Sequence, residues 1–222
     1  MNSQKPTALG RSPQSGKLLR SLLLNVLTNA FLYVGQLLIA RGLSREDYGT
    51  FTVVVSFVSL MALFADLGLT LLFVRKFAEA SERTQLGDKE ERGELLGSML
   101  VLRIGLAVVV SGLVVTIAPL LGYPAETRHL MAIMLLTLFL SSRLMVVRSV
   151  GEAFLRGHNR FHMVAMFASI DAAVFAIGVW WMQHHHLTLE GAVWVYSLCH
   201  IPGFLLLTGF IASHAKETGF RL

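Results

Sequence analysis

The sequence predicts an all-α polytopic membrane protein of six transmembrane helices, and three observations predict it. Hydrophobic residues make up 54% of the 222 residues and charged residues only 15%, against about 25% charged in an ordinary soluble domain. The mean hydropathy is +0.62. The apolar residues are gathered in blocks of about 20, the length of helix that crosses a bilayer hydrocarbon core. Short polar segments separate the blocks and leave no room for a soluble domain of any size.

Residues 1–17 are polar, with Pro, Gly, Ser and the bases Lys5, Arg11 and Lys17, and read as a disordered tail. Residues 18–213 form the transmembrane lobe, and 214–222 a second tail. Span one, Ser21 to Ala40, carries no charge. Its apolar core is too long for a signal peptide and no small-residue cleavage site follows. Span two runs from Thr50 to Val74, broken only by Asp66, and span three from Leu95 to Leu121, broken only by Arg103. Span four is Leu130 to Val147 with Arg143, span five Met163 to Met182 with Asp171, and span six Ala192 to Ile211 with His200 and Pro202.

Local chemistry refines these limits. Ser44 and Asp47 have the spacing of a capping box and mark the start of the second helix. Asp66 and Gly68 mark its end, near one membrane face, where water or Arg75 reaches the carboxylate. The stretch Leu69 to Glu91 mixes Phe73, Val74 and Phe77 with bases and acids, which predicts an amphipathic helix lying along the membrane surface. Pro202 removes a backbone donor and clashes with the turn before it, so span six kinks there.

Six spans place both ends on one side. That side carries fifteen Lys and Arg residues, in the two tails and the segments around Arg75 to Arg92 and Arg143 to Arg160; the other carries only Arg41, Arg45 and Arg128. The positive-inside rule makes both termini cytoplasmic. Trp180, Trp181, Trp194 and Tyr196 then fall at the outer interface. The net charge of +5 lies between apolar blocks, which fits anionic lipid headgroups rather than nucleic acid. Cys199 is the only cysteine, so no intrachain disulfide forms.

The polar residues inside the spans are the candidates for function. Asn25, Asn29 and Gln36 share one face of span one, and Thr52, Ser56, Ser59 and Asp66 one side of span two. Such stripes line a cavity or bond across helices. Arg103 and Asp171 are costlier to bury, and both lie about 15 Å deep at 1.5 Å per residue. They form a structural ion pair or a working one; Arg103 is expected to face a cavity, with Asp171 restraining it. Arg143 snorkels from the inner interface, and Arg148, Glu152 and Arg156 are spaced to pair along one helix face. His184, His185 and His186 read as a solvated loop rather than a metal site. Nothing in the chain calls for a cofactor, and no nucleophile–base constellation points to an enzyme.

The segment "ARGLSREDYGTFTVVVSFVSLMALFADLGLTLLFVRKFAE", Ala40 to Glu79, resembles the start of bacterial polysaccharide exporters, the O-antigen-type flippases of the multidrug/oligosaccharidyl-lipid/polysaccharide superfamily. The resemblance rests on Leu43, Ser44, Glu46, Tyr48, Gly49, Asp66, Gly68, Leu69 and Arg75, with a second piece in "FLRGHNRFH" at Arg156, Gly157, Arg160 and Phe161. It implies one lobe of a two-lobed transporter in the bacterial inner membrane. The implied work is flipping of an undecaprenyl-diphosphate-linked oligosaccharide for surface polysaccharide, including lipopolysaccharide. The implied partner is a second six-span half or a copy of this chain. On that reading Arg103, Asn25, Asn29 and Gln36 bind substrate, and Asp171, Asp66 and Arg143 couple charge or hold the structure. A multidrug exporter half and a non-transporting scaffold for glycan-assembly enzymes are the alternatives.

Overall fold

The computed structural model describes residues 13–66, 68–83, 89–141, 148–157 and 160–213. Among these residues the regular elements are all helices: α1 Pro13–Gly42, α2 Arg45–Asp66, α3 Leu69–Arg83, α4 Lys89–Leu120, α5 Ala125–Met134, α6 Leu136–Leu140, α7 Arg148–Gly157, α8 Phe161–His184, α9 Leu189–Leu198 and α10 Ile201–Ser213. Five described stretches are long and apolar enough to cross a membrane: Leu19–Gly42, Arg45–Phe64, Gly97–Leu120, Phe161–His184 and Leu189–Ser213. The chain is an all-α, multi-pass membrane protein.

The helix limits correct the expected spans where local chemistry outweighs hydropathy. The first helix begins at Pro13, so the end of the expected tail is helical; residues 1–12 and 214–222 lie outside the described residues. Ser44 caps α2: the Asp47 amide donates to Ser44 Oγ at 3.1 Å and the Ser44 hydroxyl donates to Asp47 Oδ2 at 2.7 Å. The same helix stops at Asp66, well short of Val74, because Gly68 turns the chain with φ +83°, a conformation that costs a β-carbon dearly. The rest of the expected span two is α3. It is amphipathic as predicted, with Phe73 buried and Arg75 and Lys76 exposed. Asp66 is not held by Arg75, which instead pairs with Glu79 at 2.8 Å.

Span four differs most. It comprises α5 and the five-residue α6, parted at Leu135. Hydrogen bonding tightens there, with the Leu138 amide donating to Leu135 O at 3.0 Å and the Thr137 hydroxyl taking Met134 O at 2.6 Å. Residues 142–147 of that span, including Arg143, lie outside the described residues. Span six breaks where Pro202 predicts: α9 ends at Leu198 and α10 starts at Ile201.

Two apolar cores hold the helices together. The larger lies between α2, α4, α5, α8 and α9. Tyr196 sits within it, edge-on to Phe51 at 5.9 Å and Phe175 at 5.5 Å, and so does not join Trp180 and Trp181, which are exposed. The smaller core joins α3, α7, α8 and α10 through Phe73, Phe154, Leu155, Phe167 and Leu207. Here α7 lies between the expected spans yet is packed inside. Every residue from Arg148 to Leu155 is buried, so this helix brings its charges into the interior.

Candidate functional site

Helix α1 runs along α8, and the seam between them is polar. Thr28 and Ser169 share a hydroxyl hydrogen bond at 2.7 Å, and Ser169 Oγ also donates to Leu24 O at 3.0 Å. Beside this seam a small cavity of about 110 Å³ is lined by Asn25, Thr28, Asn29, Leu32, Ala168, Asp171, Ala172 and His200. A wider one of about 320 Å³ adjoins it, lined by Ser21, Asn25, Glu152, Arg156, Phe161, Val164, Ala165 and Ala168. Asn25 and Ala168 belong to both, so the two form one cleft. Its inner end reaches Asp171 and His200, and its outer part opens beside Glu152 and Arg156.

The inner end is built from three helices. Asp171 projects from the middle of α8 and is almost wholly buried. Its Oδ2 accepts from Arg148 Nη1 at 2.5 Å. Its Oδ1 accepts from the Gly203 amide at 2.7 Å. That donor is available because Pro202 and the break at Cys199–His200 interrupt the helical ladder, which resumes with Phe204 N to His200 O at 3.1 Å. A broken helix inside a membrane protein thus hands a main-chain amide to a carboxylate. Gly203 is required by this approach: a β-carbon there would stand 2.4 Å from Asp171 Oδ1.

From α7, Arg148 Nε lies 3.1 Å from Glu152 Oε1, and Arg156 Nη2 lies 3.2 Å from Glu152 Oε2. The helical spacing read from the sequence therefore does pair these three residues. His200 Nδ1 faces Asp171 Oδ2 at 3.7 Å. Among the described residues, the buried Arg148 Nη2 and His200 Nδ1 have no hydrogen-bond partner. Buried donors and acceptors without partners are costly and uncommon in native folds; His200 lines the inner end of the cleft, and Arg148 stands behind it on the Asp171 carboxylate.

Arg103 is elsewhere. It pairs not with Asp171 but with Asp66: Nη2 donates to Asp66 Oδ1 at 2.7 Å and to Thr70 Oγ1 at 2.8 Å, and the guanidinium stacks over Phe73 at 5.0 Å. The equal depths inferred from residue counts fail because α2 stops early and delivers Asp66 to α4. Arg103 is wholly buried in this nest, so no phosphate reaches it while the pair is intact. Burial alone would raise the Asp66 carboxyl. Hydrogen bonds from Thr70 and Arg103, with the Arg103 charge, outweigh it and hold the group below its ordinary value.

Asn25 and Asn29 thus stand together with Asp171, whereas Gln36 is not among the residues lining the cleft. His200 is the residue sequence reasoning passed over. Its one signal is its place two residues before Pro202 inside an apolar span.

A family model described as "Polysaccharide biosynthesis protein" matches residues 17–214. The chain belongs to the polysaccharide biosynthesis protein family. Comparison with curated proteins and with solved structures finds no match. The family match covers all of the cleft, from Ser21 and Asn25 on α1 to His200 and Gly203 at the broken helix. The site therefore lies inside the part of the chain that the polysaccharide biosynthesis protein family defines.

Proposed function

We propose that this chain is a six-span lobe of a transporter that flips a lipid-diphosphate-linked oligosaccharide across the bacterial cytoplasmic membrane. The carrying observation is the polar cleft between α1 and α8, ending in buried charges, in a chain of the polysaccharide biosynthesis protein family. Asn25 and Arg156 offer hydrogen-bond donors to a glycan or phosphate at the mouth, and Asn29 offers one farther in. Arg103 serves the lobe's structure, buried on Asp66 and Thr70, and is not a substrate ligand on this reading. Both termini are cytoplasmic on this reading, because the bases cluster at the α3 and α7 end. Exposed amides on α1 are poorly matched to lipid tails, which supports a second lobe, another half or another copy, facing them across a wet space. The chain acts by moving its substrate and does no covalent chemistry.

Reconstitution into liposomes with a fluorescent polyprenyl-diphosphate oligosaccharide tests the proposal, with the chain alone and with its paired half. Movement of label between leaflets, reduced by Asn25→Leu with Asn29→Leu at unchanged protein level, is the expected result. No movement by the complete assembly would overturn it. Orientation is checked by cysteine labelling in a Cys199→Ser background. Residues introduced at Gly122 and His185 should react from outside, and one at Gly87 should not.

A further inference from the structure

We infer that His200 and Asp171 form a proton-binding site at the inner end of the cleft, and that protonation of His200 opens the break between α9 and α10. The cluster holds two bases, Arg148 and Arg156, and two acids, Glu152 and Asp171, so with both carboxylates ionised it is neutral when His200 is neutral, although burial pushes the Glu152 carboxyl up. Histidine is the side chain whose charge ordinarily changes between about pH 5 and 8. The imidazole edge that faces Asp171 carries a buried nitrogen with no partner among the described residues, at 3.7 Å from Oδ2. Titratable groups reach His200 from two packed helices. Asp171 comes from α8, and from α7 Arg148 on the same carboxylate, with Glu152 behind it. Its own segment adds Tyr196, edge-on at 6.1 Å. From α1 the residues lining this end are Asn25, Thr28, Asn29 and Leu32, none of them titratable.

A proton arriving through the cleft binds His200 and makes both ring nitrogens donors. His200 then competes with Arg148 for Asp171 Oδ2, the atom both already face. The carboxylate that turns toward His200 loosens Oδ1 from the Gly203 amide, the bond that closes the break. The cluster also gains one uncompensated positive charge, which draws water, or an anion, into the cleft. If the cleft takes a lipid diphosphate, as the proposed function has it, proton and diphosphate bind with mutual favour, because linkage is reciprocal.

Cys199 reports the opening directly, since it lies in the break, is buried and is the sole cysteine. The full chain in lipid nanodiscs is labelled with a maleimide from about pH 8 to about pH 5. Each rate is divided by that of the denatured chain at the same pH, which removes the titration of the thiol itself. The normalised rate should rise several-fold on acidification in the native sequence. It should stay low and flat in His200→Gln, and be high at both ends of the range in His200→Lys. If His200→Gln does not accumulate, His200→Asn carries the same arm. A flat profile in the native sequence, or an unchanged rise in the uncharged variants, would overturn the proton site. These arms need no substrate. Addition of undecaprenyl diphosphate should shift the midpoint of the rise to higher pH. No shift, with the rise itself intact, would overturn the diphosphate reading and leave the proton site standing.

Discussion

Two charge nests lie buried among the described residues, and they differ in what surrounds them. At the junction of α2, α3 and α4, Arg103 meets one acid, Asp66, with Thr70 between them and Phe73 as a lid. Asp66 also accepts a main-chain hydrogen bond from Thr70, so it caps the start of α3. Every contact in that nest ties one helix to another. Where α7, α8 and the α9–α10 break meet, Arg148, Glu152, Asp171 and His200 crowd together with unpartnered nitrogens and a cleft at their side. The first nest is a latch. The second borders a cleft lined by Asp171, His200 and Glu152. Counting buried charges does not separate such nests; the neighbouring space does.

The largest effect should come from breaking the second nest at its hub. Arg148→Leu leaves both Asp171 and Glu152 without their main partner in the interior. Loss of one partner of a buried pair costs about 3–5 kcal/mol. Membrane-inserted protein should fall sharply, read as abundance after membrane isolation and as thermal unfolding in detergent. If Arg148→Leu unfolds at the native temperature, the interior ranking of the two nests is wrong.

Next comes Gly203→Ala. One methyl group 2.4 Å from Asp171 Oδ1 forces the carboxylate or α10 to move. Overpacking of this kind costs about 1–3 kcal/mol. The variant should insert, unfold earlier and show faster Cys199 labelling at neutral pH, because its break is no longer closed by the Asp171 bond. Gly209→Ala, where no atom lies within 4 Å of the added carbon, is the matched control and should do none of this.

What was legible in the sequence followed from local rules. The all-helical class, the Ser44 cap, the turn at Gly68, the break at Pro202 and the Arg148–Glu152–Arg156 ladder each depend on residues a few positions apart. Asn25 and Asn29 were legible as one face of one helix. The pairings across helices were not. Arg103 and Asp171 look matched when depth is counted from apolar blocks, and that count took span two as far as Val74. Once α2 ends at Asp66, the acid nearest Arg103 changes. Asp171 is then left to Arg148, in a segment whose charges put it outside the expected spans. Its burial depends on Val150, Phe154 and Leu155 packing against α8 and α10, which no spacing within α7 reveals.

Arg103→Leu sharpens the comparison from the latch side. The Asp66 side chain it abandons is 28% exposed, so water can solvate the carboxylate. The cost should be about 1–3 kcal/mol, that of an unsatisfied polar group, and below that of Arg148→Leu. Adding Asp66→Leu should return much of the loss, since apolar replacements of a paired couple are often neutral or better. A double variant no more stable than Arg103→Leu would mean that Asp66 matters chiefly as the cap of α3.

The smallest effect belongs to Arg75 and Glu79, and it isolates what burial contributes. Their contact, at 2.8 Å, is shorter than the 3.1 Å between Arg148 and Glu152, and both pairs have the same four-residue spacing. Distance and spacing alone would rank the α3 pair at least equal. The Arg75 and Glu79 side chains, however, are 79% and 49% exposed, against 0% and 3% for Arg148 and Glu152. Water already solvates the first pair, so losing one partner strands no charge. Such exposed pairs contribute about 0–1 kcal/mol, and salt screens them further. Arg75→Ala should therefore leave thermal unfolding in detergent nearly unchanged at low and at high salt. A loss approaching that of Arg148→Leu would show that ion-pair geometry, not desolvation, governs stability here, and the distinction between the nests and the surface would fail with it.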